Sequence, residues 1–587
     1  MRTATCLWVG FCFGLAALAA GAAPPVTEVV DMGGHGLPGA PPDGPHERAA
    51  QLPPAPRDLP RVTRPARSAV ELTRNNYTSV QVNVDGEGNN IVGDAANEPS
   101  IAVDPTNPNR LVIGWRQFDT ITSDFREAGW AYSHSAGRAW TFPGVLEEDV
   151  FRSDPVLNVG PDGTFYYYSL NYDGSDYTCQ MFISYDHGAS WVGPIDAHGG
   201  DKAWFDVDRT GGVGRGNLYA AWDYAGCCGD NWFTRSIDDG LSYMTPIAIP
   251  QQPNWGTVAV HPNGDVFIAG RHDFSYTQFS CVRSSSAKWA LGSVQFEFQT
   301  FVDLGGALVY YAPNSPNPAG LAGQVWIACD HSDGPTHGNV YMLCSVDPPG
   351  ADPLDVHFVR STDGGETWSA PLRLNDDVGT AAWQWFGTLS VAPNGRLDVI
   401  WNDTRNGESI RWSEVYYTYS TDGGLTWSPN VAVSPPFDSW LGWPQQEKLG
   451  DYYHMVSDNV GASLAYAATF NGEQDVYFLR LGPYDCNGNG VPDGEDVAAG
   501  TSSDLNGNGI PDECECFGDV NCDRVVDYAD IDPFVAALSC VGGEPTCWPP
   551  VGVPEGCAWL RADCNGDGDV TYADIDRFVV RIGAVCP

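Results

Sequence analysis

The chain has 587 residues, with 74 Asp and Glu against 30 Lys and Arg and a formal net charge of −44 at pH 7. That balance argues against nucleic acid and anionic membrane surfaces as partners, and the length exceeds one ordinary domain. Aromatic residues make up 12% of the chain, including 21 Trp, which suits a β-rich, carbohydrate-associated protein.

In chain order, Met1–Ala22 carries Arg2, an apolar run from Leu7 to Ala20 and small residues at Ala20-Gly21-Ala22. This is the pattern of a secretory signal peptide, so the mature protein is expected to be secreted or displayed at a cell surface. No later stretch of the sequence is apolar enough for long enough to cross a bilayer. Residues 23–75 follow as a Pro-rich, disordered linker, with eleven prolines between 23 and 70 and no strand pattern.

From residue 76 two repeats alternate. One is an octet, Ser361-Thr-Asp363-Gly-Gly365-Glu-Thr-Trp368, which recurs from Ser420 to Trp427. Ser184, Asp186, Gly188 and Trp191 keep its spacing, and Ser236, Asp238, Gly240 and Tyr243 keep it with one aromatic exchanged. Ser133, Ser135, Gly137 and Trp140 form a weaker copy, with serine in place of aspartate. An Asp that accepts from backbone N–H groups ahead of it, beside a glycine at positive φ, makes a hairpin turn. The other repeat is a pair of short alternating strands, such as Thr388–Val391 with Leu397–Trp401, found seven times. A fixed period of this size signals a repeat architecture. The last unit lacks a fourth strand, and Ser79–Val84 is expected to supply it and close the ring. The fold class expected is therefore all-β, a seven-bladed β-propeller over residues 76–482, with six-bladed as the alternative.

The octet resembles the Asp-box, or BNR repeat, of the sialidase-type β-propellers. The resemblance implies a structural role for the box, on the face away from the active site; sialidases have six blades, so the count of seven separates this chain from them. On the opposite face the strand ends should present Glu98, Arg116, Asp154, Asp201, Lys202, Asp223, Arg271, Gln384, Asp403, Arg405 and Asp451. A sialidase-like mechanism implied by the resemblance would use Arg116, Arg271 and Arg405 as a carboxylate clamp. Tyr452 or Tyr453 would be the nucleophile, with Glu447 and Asp154 as its helpers. The early Arg-Ile-Pro motif of that family is absent, and Arg116 stands in Gly-Trp-Arg-Gln. Charged residues at such positions also serve simply to solvate loops and pair with one another.

After Gly482 the composition shifts. Residues 485–587 hold 20 Asp and Glu against 4 Arg and no Lys. In residues 483–516, Asp485, Asn487, Asn489, Asp493 and Asp496 are repeated as Asp504, Asn506, Asn508 and Asp512. Alternate oxygen side chains along a tight turn wrap a hard cation, which makes Ca2+ the expected cofactor; these units resemble thrombospondin type 3 calcium repeats. In residues 517–587, Asp519, Asn521, Asp523, Asp527 and Asp530 sit at positions one, three, five, nine and twelve of a loop. Asp563, Asn565, Asp567, Asp569, Thr571 and Asp574 form a second, each running into a helical stripe (Ile531, Phe534, Val535, Leu538; Ile575, Phe578, Val579, Ile582). The duplicated EF-hand-type loop resembles a dockerin, which implies a cohesin-type partner. Nine cysteines from Cys486 to Cys586 read as disulfide staples for domains with little core.

No zinc spacing among the 11 His residues and no glycine-rich phosphate loop is present. Two functions stay open. One is exo-acting hydrolysis of glycosidic bonds, with sialosides as the substrate class, by a propeller tethered through a calcium-dependent module. The other is a non-catalytic glycan- or protein-binding propeller of an extracellular adhesion or scaffold protein.

Overall fold

The computed structural model describes residues 71–583, except 87, 173, 273–274, 503, 505–508, 512–513, 515–516, 523–525, 545, 554–556, 558 and 566–568. The expected signal peptide and most of the linker lie outside the described residues, as do Asn506, Asn508, Asp512, Asp523 and Asp567.

Seven antiparallel sheets follow one another along the chain. Their innermost strands are Ala95–Val103, Ser153–Val159, Trp204–Val207, Val258–Val260, Trp326–Cys329, Gln384–Val391 and His454–Ser457. Each pairs with the next strand through a short turn, as Val103 with Leu111 and Val391 with Leu397. Most residues of these strands are buried because each blade packs between two others. Third strands such as Glu127–Ser133 and Trp412–Ser420 extend the blades outwards.

The ring closes as the sequence predicts. Tyr77–Gln81 joins the last blade, pairing Ser79 with Leu479, Val80 with Phe478 and Gln81 with Tyr477. The blade also starts earlier than expected, because Glu71–Arg74 pairs back onto Tyr77–Gln81. The connection is Asn75-Asn76, with Asn75 at φ 55°, a conformation that Asn tolerates better than most residues. The propeller therefore takes in residues assigned from sequence to the linker.

The boxes are turns, and they also stitch blades together. In each full copy the serine hydroxyl donates to the Asp and accepts from the glycine N–H; for the fifth blade these distances are 2.7 and 2.9 Å. Asp363 Oδ1 then accepts from Thr367 N–H at 2.9 Å, and Asp422 repeats the contact with Thr426. In the weaker copy Ser135 Oγ takes the role of the Asp, accepting from Ala139 N–H at 2.9 Å. Box carbonyls accept from the preceding blade: Gly364 O from Arg283, Gly423 O from Arg360 and Gly188 O from the Trp130 indole.

The described tail contains three short helices, α1 (Asp493–Ala499), α2 (Ile531–Leu538) and α3 (Ile575–Arg581). Phe534 and Phe578 stack at 4.3 Å between α2 and α3, on a core that includes Val520, Val526 and Trp548. The expected helical stripes are only half buried. Ile531, Val535 and Val579 stay at the surface, because two short helices meet along a single line of contact. Disulfides Cys486–Cys514, Cys522–Cys557 and Cys540–Cys547 staple the tail, and Cys227–Cys228 joins neighbours in a propeller loop. Cys179, Cys281, Cys329, Cys344 and Cys564 are unlinked and buried, so the propeller cysteines other than that pair serve as core side chains. No helix among the described residues is long and apolar enough to cross a membrane.

Gly424 sits at φ 80°, and a Cβ there would run into the ring of Phe358 in the preceding blade. Gly424→Ala should therefore cost about 3 kcal/mol through combined left-handed strain and overpacking. Gly472→Ala, at φ 85° with open space around it, should cost only about 1 kcal/mol. Urea denaturation of both variants measures the difference, and equal losses would remove the interblade role of the box glycine.

Candidate functional site

The entry to the inner strand is irregular in the same way in several blades. Glu98, Asp154, Lys202, Trp255 and Phe386 all have φ between 40° and 60°, where a non-glycine residue costs about 1–3 kcal/mol. Strand register slips at three of these places, between Asn97 and Ser100, Ser153 and Val156, and Trp385 and Thr388. Such bulges re-aim side chains, and here three of the residues carry charge.

Glu98, Asp154 and Lys202 meet Asp201 and Asp451 at the end of the channel away from the boxes. Lys202 Nζ lies 3.2 Å from Asp154, 3.0 Å from Asp201 and 2.9 Å from Asp451. Lys448 Nζ adds a contact to Asp451 at 2.7 Å and one to Glu98 at 3.8 Å, and Arg116 Nε stands 3.1 Å from Glu98. All these side chains are buried. Above them, the segment around Asn317–Leu321 is tied to Glu447–Asp451. Leu321 N–H donates to Asp451 at 2.8 Å, Leu449 N–H donates to Asn317 Oδ1 at 2.8 Å, and Ala319 N–H donates to Glu447 O at 3.0 Å.

Protonation follows from burial and pairing. Burial works against ionisation of Asp154, but Lys202 more than offsets it and holds the carboxyl far below its usual range. Asp451 is held low in the same way by Lys202 and Lys448. Glu98 goes the other way: burial is the largest influence, and with Asp451 nearby it outweighs Arg116 and Lys448, pushing the carboxyl up to about 8.

The structure brings one part of the expected set into contact and holds the other members on separate blades. Arg116 and Asp154 join the buried cluster. Arg271 lies in the fourth blade, with Nε donating to Asn254 at 2.9 Å and its guanidinium over Trp255 and Tyr276. Arg405 lies in the sixth, bound to Asp403 and Asp376 and stacked on Tyr416. Each arginine is thus held by groups of its own blade or the one beside it: Arg116 by Asn97 and Glu98, Arg271 by Asn254, and Arg405 by Asp403 and Asp376. Tyr452 is buried, its hydroxyl donates to Pro155 O at 2.8 Å, and burial pushes its pKa well up. Tyr453 donates to Ala467 O at 2.6 Å. Glu447 contributes its backbone carbonyl to the covering segment and is itself exposed.

The other end of the channel is open. A cavity of about 530 Å³ lies at the Asp-box end, among the turns that join first and second strands. Trp204, Trp326 and His454 line it. None of the three carries a motif, and only their shared place at the start of inner strands could have marked them. Asp485 and Gly488 of the first acidic loop also line the cavity. That loop is fixed to the box turn of the first blade, where Arg138 pairs with Asp493 at 3.1 Å and covers the Tyr484 ring at 3.9 Å.

The acidic loops have the donors a hard cation needs. In the first, the side chains of Asn487 and Asn489 reach Asp496 at 3.4 and 2.7 Å, while Asp485 accepts from Asn489 and Gly490 N–H. Asp493 is turned to Cys486 N–H and Arg138 instead. Asp504 accepts from Gly509 N–H just as Asp485 does from Gly490. The two later loops are braced in the same manner around fully buried Asp530 and Asp574, through loop positions three and nine in both. Asp530 accepts from Val520, Asn521 and Asp527 N–H, and Asp574 from Asn565 and Thr571 N–H. Asp527 and Thr571 also cap the following turns, while Asp519 and Asp563 are buried and Asp569 is exposed.

A family model described as BNR/Asp-box repeat matches residues 359–370 and 418–429, the box hairpins of the fifth and sixth blades. No curated protein matches the chain in sequence. Among solved structures it is similar to a protein of unknown function from Dyadobacter fermentans DSM 18053, at 13% identity over 69% of this chain and 98% of that one, TM-score 0.40. It is also similar to the GH93 α-L-arabinofuranosidase of Fusarium graminearum (14% identity, 48% of this chain and 92% of that one, TM-score 0.30). A third is the Trypanosoma rangeli sialidase (11%, 70% and 58%, TM-score 0.32).

The Glu98 carboxyl gives a pH signature. Between its ordinary value of 4.5 and about 8, the folded chain keeps a proton that the unfolded chain has released. Its contribution to stability is thus present below pH 4.5 and lost as pH rises towards 8. Relative to Glu98→Gln, the wild type should lose stability between pH 5 and 8, read as the difference in urea midpoint. A difference that stays constant over that range would show that Glu98 titrates as an ordinary carboxyl.

Proposed function

We propose that this chain is a non-catalytic, glycan-binding β-propeller of an exported protein, held in place through a calcium-dependent C-terminal module. One observation carries the reading: the groups a sialidase-like reaction would need are committed elsewhere. Tyr452 donates its hydroxyl hydrogen bond to a backbone carbonyl inside the protein, where an activated nucleophile needs a base within bonding reach. The charged end of the channel is packed and covered, which leaves a sugar no room beside Asp154. Function lives in a site rather than in a fold, and the aromatic-lined cavity at the opposite end has a volume typical of ligand sites.

The calcium reading rests on the oxygen donors of the acidic loops. Asp519, Asn521, Asp527 and Asp530 would hold one ion, Asp563, Asn565, Asp569 and Asp574 another, and Asp485, Asn487, Asn489 and Asp496 a third. The ion would supply the positive charge that lets buried carboxylates approach one another. A docking role is supported by a duplicated exposed face, Tyr528, Ile531 and Val535 on one copy and Tyr572, Ile575 and Val579 on the other. A cohesin-type protein is the partner this face suits.

Two measurements test the proposal. The purified chain, incubated with sialosides and with neutral and acidic oligosaccharides, should bind without releasing product; turnover lost in Arg405→Ala would overturn the reading in favour of an enzyme. Calcium titration of the full chain should show Asp530→Ala weakening one site by about tenfold or more. Chelation should lower the melting temperature of the tail, and an unchanged melt would sink the calcium assignment.

A further inference from the structure

Three aromatic rings form the floor of the cavity at the Asp-box end. Trp326 stacks on His454 at 5.7 Å, and Trp204 meets both edge-on at 5.0 and 5.2 Å. The imidazole is fixed in one tautomer. Its Nδ1 accepts from Ile101 N–H at 3.3 Å and lies 2.9 Å from Ser100 Oγ. A ring nitrogen that accepts from an N–H carries no proton, so the proton is on Nε2. Nε2 has no hydrogen-bond partner among the described residues. Burial lowers the imidazole pKa to about 3, so the ring is a neutral donor throughout the physiological range.

The wall selects against charged ligands of either sign. Apart from Asp485, which the calcium reading commits to an ion, it carries the carboxylates Asp104, Asp206 and Asp458 against the single guanidinium of Arg209, which repels an acidic sugar. An organic cation would gain from the aromatic rings but would meet the His454 N–H donor head-on. A neutral saccharide satisfies both conditions. Its C–H faces pack on indole, and a hydroxyl oxygen accepts from an N–H that otherwise stays unpaired.

We propose that the cavity at the Asp-box end of the channel is a binding site for a small neutral saccharide, with Trp204 and Trp326 as its apolar floor and His454 Nε2–H as its polar anchor. This rests on the binding reading above and names the site and ligand class for it. The site lies at the end of the propeller opposite the charged cluster. The acidic loop at Asp485–Gly488 forms part of its entrance, so the tail takes part in recognition as well as in tethering.

Calorimetric titration of the full chain with neutral mono- and disaccharides, and with sialyllactose as the acidic comparison, tests the proposal. A neutral sugar should bind, and His454→Phe, which keeps the ring and deletes the donor, should weaken it by about tenfold or more. Ala328→Phe, which fills the cavity from an inner strand, should abolish binding and serves as the second variant if His454→Phe misfolds by circular dichroism. A neutral sugar bound equally well by both folded variants would overturn the site while leaving the binding propeller intact. Binding of sialyllactose alone, or of no sugar in either class, would overturn the ligand class. Turnover of any of them would instead sink the non-catalytic reading on which the site depends.

Discussion

The pairing of Tyr77–Gln81 with Asp475–Leu481 is the constraint on which the rest of the molecule depends. A propeller blade buries both faces of its sheet against its neighbours, so an incomplete ring would leave two sheets with an exposed apolar face and unpaired edges. Bringing together residues nearly four hundred positions apart costs loop-closure entropy, but that cost grows only slowly with length. Once closed, the ring is reinforced between blades by the box turns, whose carbonyls accept from arginines and a tryptophan of the preceding blade. Closure and stitching together hold seven inner strands around one axis, and the axis is where chemistry collects.

The two ends of that axis differ because the strands enter and leave it differently. At the entry end, left-handed residues bulge the inner strands and turn charge inwards, so that Lys202 can face three carboxylates from the second, third and seventh blades. Buried charges of this kind are stable only when fully paired, and pairing fills the space that a ligand would need. At the exit end the inner strands finish in short turns, with polar side chains at the rim and aromatic rings below. The frame thus has one end plugged by ion pairs and the other lined with rings.

The tail repeats the same economy on a smaller scale. Its two later loops each bury an aspartate at position twelve and satisfy it with backbone N–H groups from positions three and nine, with position two added in the first loop. Phe534 and Phe578 then pack one loop–helix unit against the other. A core this small relies on covalent staples, and Cys522–Cys557 and Cys540–Cys547 supply them. The first loop is held on the propeller by Arg138, Tyr484 and Asp493, which joins tail and blade ring at the open end of the channel.

What the sequence determined by itself was the set of local turns and their number. Ser-x-Asp-x-Gly spacing fixes a hairpin because the hydrogen bonds that shape the turn are made within the octet, and seven alternating strand pairs fix seven blades because side-chain alternation is also local. The residues that the entry end would gather, Glu98, Asp154, Asp201, Lys202 and Asp451, were legible for the same reason, being at strand ends. Tertiary structure decided what that gathering means. Whether carboxylates and cations around an axis stay open to a ligand or close on one another depends on distances across blades and on a covering segment contributed by two others. No local pattern encodes those distances. Likewise Trp204, Trp326 and His454 come from three separate blades, and only closure of the ring makes them one surface.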